Sequence, residues 1–154
     1  MLTGKDRIGP NITVISYEFM TKMSDEIARK NYKIVVADES HYLKNGQAKR
    51  TKAVLPVIRK AKRVILLTGT PALSRPAELY TQISSLQPRQ FPTWQEFGTR
   101  YCDLKQGRWG MEANGATNLG ELNCLLQEVM IRRLKADVLT QLPSKRRQQV
   151  SIGV

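Results

Sequence analysis

Only one histidine and two cysteines occur in these 154 residues, and Cys102 and Cys124 lack the C-x-x-C spacing of a zinc module. With no second histidine to complete a ligand set, a structural zinc site is excluded, and the cysteines read as reduced thiols of an intracellular protein. No apolar run approaches the roughly 18 residues that a membrane span needs, so no membrane contact is expected. Met1-Leu2-Thr3-Gly4-Lys5 lacks the apolar core of a secretory signal. Acid is scarce too: Asp plus Glu number 13 against 25 Lys plus Arg, a net charge of +12. From Ser40 through Ala77 there is no acid at all, yet nine Lys or Arg fall there. That excess favours an acidic partner, most simply nucleic acid. A hydrophobic content of 41% is enough for one folded domain with its own core and argues against disorder.

What is present starts with Ile34-Val35-Val36-Ala37, an apolar run suited to a strand buried on both faces, as in a parallel sheet. It runs straight into Asp38-Glu39-Ser40-His41. Two carboxylates at the exit of such a strand stand at the carboxyl edge of the sheet, where open α/β sheets bind ligands. There one carboxylate can hold Mg²⁺ through water while its neighbour orients or deprotonates an attacking water. Taken alone, the pair also fits a helix N-cap followed by a first-turn acid. A second apolar run, Val64-Ile65-Leu66-Leu67, ends in Thr68-Gly69-Thr70-Pro71, and this repeat of strand and polar exit favours the functional reading.

The pattern along the chain is β and α in alternation up to Pro88. Ile12 to Ile15 reads as a first strand and Tyr17 to Lys30 as a helix, with Phe19, Met20, Met23 and Ile27 near one face. Lys33 to Ala37 is the second strand. Ala48 to Ala61 has helical period through Val54, Val57, Ile58 and Ala61, although Pro56 inside it should kink or restart the helix. Val64 to Leu67 is the third strand, and Pro76 suits the first position of a helix to Leu86. Beyond Pro88 helices dominate. Thr93 and Glu96 form a capping box for a helix with Trp94, Phe97 and Tyr101, and Gln106 to Thr117 reads as a loop. Asn118 caps a helix with Leu119, Leu122, Leu125, Leu126 and Val129 on one stripe. A short helix from Arg132 to Leu142 and a strand start at Gln148 to Ile152 follow.

Three ordered blocks carry a resemblance: Asp38-Glu39-Ser40-His41-Tyr42-Leu43-Lys44-Asn45, then Leu66-Leu67-Thr68-Gly69-Thr70-Pro71 with Glu78-Leu79-Tyr80, then Ile131-Arg132-Arg133-Leu134-Lys135-Ala136-Asp137-Val138. On these the chain resembles the Swi/Snf-like ATPases of helicase superfamily two. Arg75-Pro76-Ala77-Glu78, Arg100-Tyr101-Cys102-Asp103 and Asn118-Leu119-Gly120-Glu121-Leu122 are similar to the annealing-helicase, HepA-related branch. The resemblance implies an α/β fold: part of a RecA-like, P-loop NTPase-type parallel sheet with flanking helices and a helical insertion. It implies residues 1–87 as the back half of the first lobe, 88–130 as the insertion and 131–154 as the link to a second lobe.

Carried over residue by residue, the resemblance makes Asp38 the water-mediated Mg²⁺ holder and Glu39 the general base for ATP hydrolysis. His41, Ser40, Thr68, Gly69 and Thr70 would couple the ATP site to DNA-facing loops. DNA contact would fall to Ser16, Tyr17, Lys44, Asn45, Lys49, Arg50 and Lys52, and Arg132, Arg133 and Lys135 would lie between lobes. Each has a plainer reading: a satisfied structural histidine, a Gly-Pro turn, a solvated basic helix face. Trp94, Tyr101 and Trp109 suit base stacking or the core of the insertion. No phosphate loop G-x-x-x-x-G-K-[ST] is present, and Gly4-Lys5-Asp6 does not make one. The expectation is a piece of a nuclear, ATP- and Mg²⁺-dependent DNA translocase that rewinds forked DNA, inactive alone. It would act with the remainder of its polypeptide and a single-strand-binding protein. The rival expectations are a chromatin-remodelling ATPase and a non-catalytic module binding DNA or another protein.

Overall fold

The structure, a computed structural model, describes residues 11–70, 75–108, 110–133 and 148. Strands β1 (Ile34–Ala37) and β2 (Arg63–Leu66) pair in parallel with Ala37 opposite Leu66. Leu67 N–H donates to the Ala37 carbonyl at 2.9 Å, which carries the pairing past the strand ends. The crossover between them is α3 (Lys49–Lys60), the helical connection that parallel strands require. Val35, Ala37, Val64 and Leu66 pack with Met20, Ile27, Leu43, Val54, Val57 and Ile58 in a first core. Burial on both faces was expected, and among the described residues only one face is covered. Ile34, Val36, Ile65 and Leu67 are each about half exposed (47–56%), because α1 (Tyr17–Lys22), α2 (Ser24–Arg29) and α3 contribute to the core on the other side.

Ile12 to Ile15 forms no strand. A strand needs a ladder partner, and this segment has none among the described residues, although its alternation survives: Ile12 and Val14 are exposed while Thr13 and Ile15 are partly buried. The expected single helix from Tyr17 is two, since Met23 (φ −118, ψ 19) closes α1 and opens α2. The reverse holds at Pro56, where α3 runs unbroken. Pro56 and Lys52, one turn before it, are both exposed, so the turn that loses a helical hydrogen bond lies on the solvent side of the helix.

A second core gathers Leu79, Ile83, Phe91, Phe97, Tyr101, Cys102, Leu122 and Leu126. Its helices are α4 (Tyr80–Leu86), α5 (Trp94–Tyr101) and α6 (Leu119–Gln127). Thr93 caps α5 as expected, accepting from Glu96 N–H at 3.2 Å. The helix expected from Pro76 begins instead as a 3₁₀ turn, Pro76–Glu78, and restarts as α4. The loop expected after Gln106 contains an antiparallel hairpin, β3 (Lys105–Gly107) with β4 (Gly110–Glu112). Gly110 has φ +129 there, a conformation open to glycine alone. Asn118 does not cap α6 with its side chain; it is left-handed (φ 47) and its Nδ2 donates to the Arg100 carbonyl at 2.8 Å. Of the helix expected from Arg132 and the strand expected from Gln148, Arg132, Arg133 and Gln148 are described and belong to neither element; the remainder lies outside the described residues.

Candidate functional site

Parallel register brings the two strand exits side by side. Ser40 N–H donates to the Leu67 carbonyl at 2.9 Å, so Asp38-Glu39-Ser40-His41 and Thr68-Gly69-Thr70 share one edge of the sheet. Glu39 turns the chain there, in a left-handed conformation (φ 49, ψ 46) at the start of the 3₁₀ turn Ser40–Leu43. A non-glycine residue in that region stores roughly 1–3 kcal/mol of strain, which persists where surrounding contacts over-determine it. His41 Nδ1 lies 3.1 Å from Glu39 Oε2 and 3.0 Å from Thr68 Oγ1. A proton on Nδ1 serves both oxygens, and the carboxylate favours that tautomer. Thr68 Oγ1 in turn accepts from Thr70 N–H at 3.1 Å.

Asp38 and Glu39 are exposed, His41 is partly buried, and Ser40 is fully buried. Asp38 Oδ1 accepts from Glu39 N–H at 2.9 Å. Tyr17 donates its hydroxyl to the Asp38 carbonyl at 2.8 Å. Its pKa is pushed up to about 12, first by burial and then by the carboxylates of Asp38 and Glu39, which resist a third negative charge beside them. Tyr42 sits against both Tyr17 and His41, with ring centroids 6.0 and 4.7 Å away. The Arg50 guanidinium lies 5.2 Å over the Tyr42 ring. An aromatic cluster thus joins the acidic turn to the basic helix α3. Sequence reasoning quoted Tyr42 without assigning it a role.

The other expected site residues divide. Lys49, Arg50 and Lys52 are exposed on α3, as are Gly69, Thr70, Asn45, Arg132 and Arg133. Ser16 caps α1, accepting from Phe19 N–H at 3.3 Å. Lys44 pairs with Glu78 Oε1 at 3.1 Å, and Asn45 Oδ1 accepts from Gln47 N–H at 2.9 Å. Lys135 and Trp109 lie outside the described residues. Tyr101 is buried in the second core, whereas Trp94 is exposed at its margin and packs edge-on to Tyr80. Gln82 was missed altogether: it is buried and accepts from Ser40 Oγ at 2.9 Å. No local pattern marks such a contact, which spans 42 positions of sequence.

Among the described residues no group of three or more His, Cys, Asp or Glu could hold a metal ion. One exposed carboxylate with a neighbouring acid is nonetheless a fitting partner for Mg²⁺, a hard ion that keeps most of its waters and takes phosphate oxygens. Asp38 would hold it from the sheet edge. No helix among the described residues is long and apolar enough to cross a membrane.

A mixed α/β unit with carboxylates and threonines at the exits of adjacent parallel strands is the setting in which nucleotide chemistry is commonly built. The family model described as the SNF2-related domain matches residues 4–154, and the chain belongs to that family. It is 51% identical over 99% of its length to the Xenopus laevis SWI/SNF-related matrix-associated actin-dependent regulator of chromatin subfamily A-like protein 1. The Caenorhabditis elegans homolog of that protein is 49% identical over 92% of the chain. The Bos taurus DNA annealing helicase and endonuclease ZRANB3 is 47% identical over 90% of it. The chain spans only 16%, 21% and 14% of those three proteins.

Proposed function

We propose that this chain forms the acidic, water-activating half of an ATP-hydrolysing site in a DNA translocase of the annealing-helicase type. The observation that carries the reading is His41 Nδ1, which bridges Glu39 and Thr68 at 3.1 and 3.0 Å. A change at the acidic motif is thereby felt at the Thr68-Gly69-Thr70 exit. Glu39 acts as general base toward water, with its carboxylate oriented by His41. Asp38 would hold Mg²⁺ through water, and the ion would supply charge neutralisation for the triphosphate. Ser40, Thr68, Gly69 and Thr70 couple the site to DNA-facing loops. Identity to a DNA annealing helicase and to a regulator of chromatin supports DNA as substrate and a nuclear setting, and forked DNA is the form proposed.

On this reading the sheet is part of a RecA-like lobe. The half-exposed apolar face of β1 and β2 supports it, since parallel strands are normally covered on both sides. The second core supports a helical insertion at 88–130, and Arg132, Arg133 and Lys135 would serve the link to a second lobe. Lys49, Arg50 and Lys52 contact DNA phosphates without sequence preference, so binding weakens steeply with salt. Lys44, Asn45, Ser16 and Tyr17, each held by an internal bond, complete the proposed DNA contacts. The 154 residues alone hydrolyse no ATP, because their sequence contains no phosphate-cradling loop.

The test is Glu39→Gln in the full-length protein that carries this domain. Expected is loss of DNA-stimulated phosphate release with nucleotide binding kept. Turnover at the unmodified rate rejects the assignment. Stimulation by nucleosomes but not by forked DNA would replace the annealing reading with a chromatin-remodelling one.

A further inference from the structure

Helix α4 presents an unusual interior: Thr81, Gln82, Ser84 and Ser85 are all buried with Ile83. The two serines are satisfied within the helix, Ser85 Oγ donating to the Gln82 carbonyl at 2.6 Å and Ser84 Oγ to Thr81 at 3.4 Å. Thr81 and Gln82 reach outward instead. Gln82 Oε1 accepts from Ser40 Oγ at 2.9 Å, and Thr81 Oγ1 donates to the Lys44 carbonyl at 3.2 Å. One turn earlier Glu78 Oε1 takes Lys44 Nζ at 3.1 Å. Ser40 with Lys44, and Glu78 with Gln82, are each four residues apart, so two successive turns are clasped at both ends. Gln82 is itself steadied, its Nε2 donating to the Glu78 carbonyl at 3.3 Å. Leu79 and Ile83, from the same segment, belong to the second core.

We propose that Gln82 is a positioning residue for Glu39, holding the strained turn that aims the carboxylate and tying it to the helical region. Ser40 follows Glu39 directly and is pinned twice: its N–H on the Leu67 carbonyl at the end of β2, its hydroxyl on Gln82. With both in place Ser40 cannot rotate, and Glu39 is kept at φ 49. Releasing the Gln82 bond lets the turn relax toward right-handed geometry and swings Glu39 away from His41. A shift of α4 driven by the second core acts on the same bond. The helical region therefore sets how well the general base is aimed. The inference rests on the role of Glu39 proposed above.

The experiment uses the full-length protein and DNA-stimulated ATP hydrolysis, with Glu39→Gln as reference. Gln82→Met keeps volume and removes the acceptor; Ser40→Ala removes the same bond from the other side with little change of size. Each is expected to lower kcat about tenfold, with KM for ATP and DNA affinity unchanged. The double variant Ser40→Ala/Gln82→Met regains melting temperature, because no buried hydroxyl is left unpaired, yet keeps the low kcat. Return of kcat with the melting temperature means the bond is only structural and overturns the proposal, as does a kcat within twofold of the parent in Ser40→Ala. If Gln82→Met does not fold, Ser40→Ala decides alone. Normal turnover in Glu39→Gln rejects the catalytic assignment itself; an inactive Glu39→Gln beside a fully active Ser40→Ala rejects only the role of Gln82.

Discussion

Around β1 and β2 the charged groups lie at an exposed rim, whereas between α5 and α6 they are locked together. At the rim, Asp38 Oδ2 and Glu39 Oε1 take no protein hydrogen bond among the described residues, and the sheet face carrying Ile34, Val36, Ile65 and Leu67 is about half exposed. Across the helices, Arg100 grips both oxygens of Glu121 at 2.7 and 2.6 Å and Tyr101 donates to the same carboxylate at 2.6 Å. Hydrogen bonds from Arg100 first, then Tyr101, hold the Glu121 carboxyl below the ordinary carboxylate range. Thr117 and Asn118 fasten the loop before α6 to the Arg100 carbonyl at 2.7 and 2.8 Å. A site must keep bonding capacity for a ligand, and a scaffold must not. The first region is organised as a site and the second as its brace.

The comparison is tested most severely by removing the centre of the brace. Phe97 is 2% exposed and its ring meets Tyr80, Phe91, Trp94 and Tyr101 at centroid distances of 5.0 to 6.2 Å. Phe97→Ala is expected to cost about 3–5 kcal/mol, read as loss of amide-exchange protection in α5 and α6 exceeding that in β1 and β2. Equal loss in both would mean one cooperative unit and would dissolve the distinction drawn here. A smaller effect of opposite sign is expected in the first core. Thr51 is fully buried on α3, and its Oγ1 has no hydrogen-bond partner among the described residues. Thr51→Val replaces the unpaired hydroxyl with a methyl group and is expected to gain about 1 kcal/mol. A fall in melting temperature would refute that account of the site.

What could be read from the sequence follows the range of the forces involved. Ile34 to Ala37 and Val64 to Leu67 announce strands because four adjacent apolar residues have few other uses, and their carboxylate and threonine exits come with them. The α3 stripe, Val54, Val57 and Ile58, is buried as its spacing requires. Features decided by distant partners were illegible. Ile12 to Ile15 has strand alternation without a neighbouring strand, and Met23 breaks a helix whose apolar period continues through it. The hairpin at Lys105 to Glu112 lacks the Asn-Gly or Asp-Gly signal that marks two-residue turns. Gln82, Ser84 and Ser85 look like a solvated helix face, and only the packing of α4 between the acidic turn and the second core reveals them as interior. Local pattern located the reactive groups; the residues that aim them are set by tertiary contact.

The mildest perturbation separates the rim from the brace by pH. Tyr17 has its pKa pushed up to about 12 by burial and by Asp38 and Glu39, and in the unfolded chain it titrates near the ordinary tyrosine value of about 10. The folded state therefore holds this proton more tightly than the unfolded state does. Below about 10 both forms are protonated and the full contribution is present; as pH rises from there toward 12 the unfolded chain ionises first, and stability falls. Tyr17→Phe removes the ionisable group together with the bond to the Asp38 carbonyl. Expected is a lower melting temperature at neutral pH and a flatter decline above pH 10, with one high-pKa transition lost from the ultraviolet absorbance of tyrosinate. Tyr101 also has its pKa raised, by burial first and then by donating to Glu121, but it is held within the brace. Tyr101→Phe should flatten the alkaline decline without touching the acidic turn, so ATP turnover in the full-length protein is expected to drop for Tyr17→Phe and not for Tyr101→Phe. Equal effects on turnover would mean that the brace reaches the site as directly as the aromatic cluster around Tyr42 does.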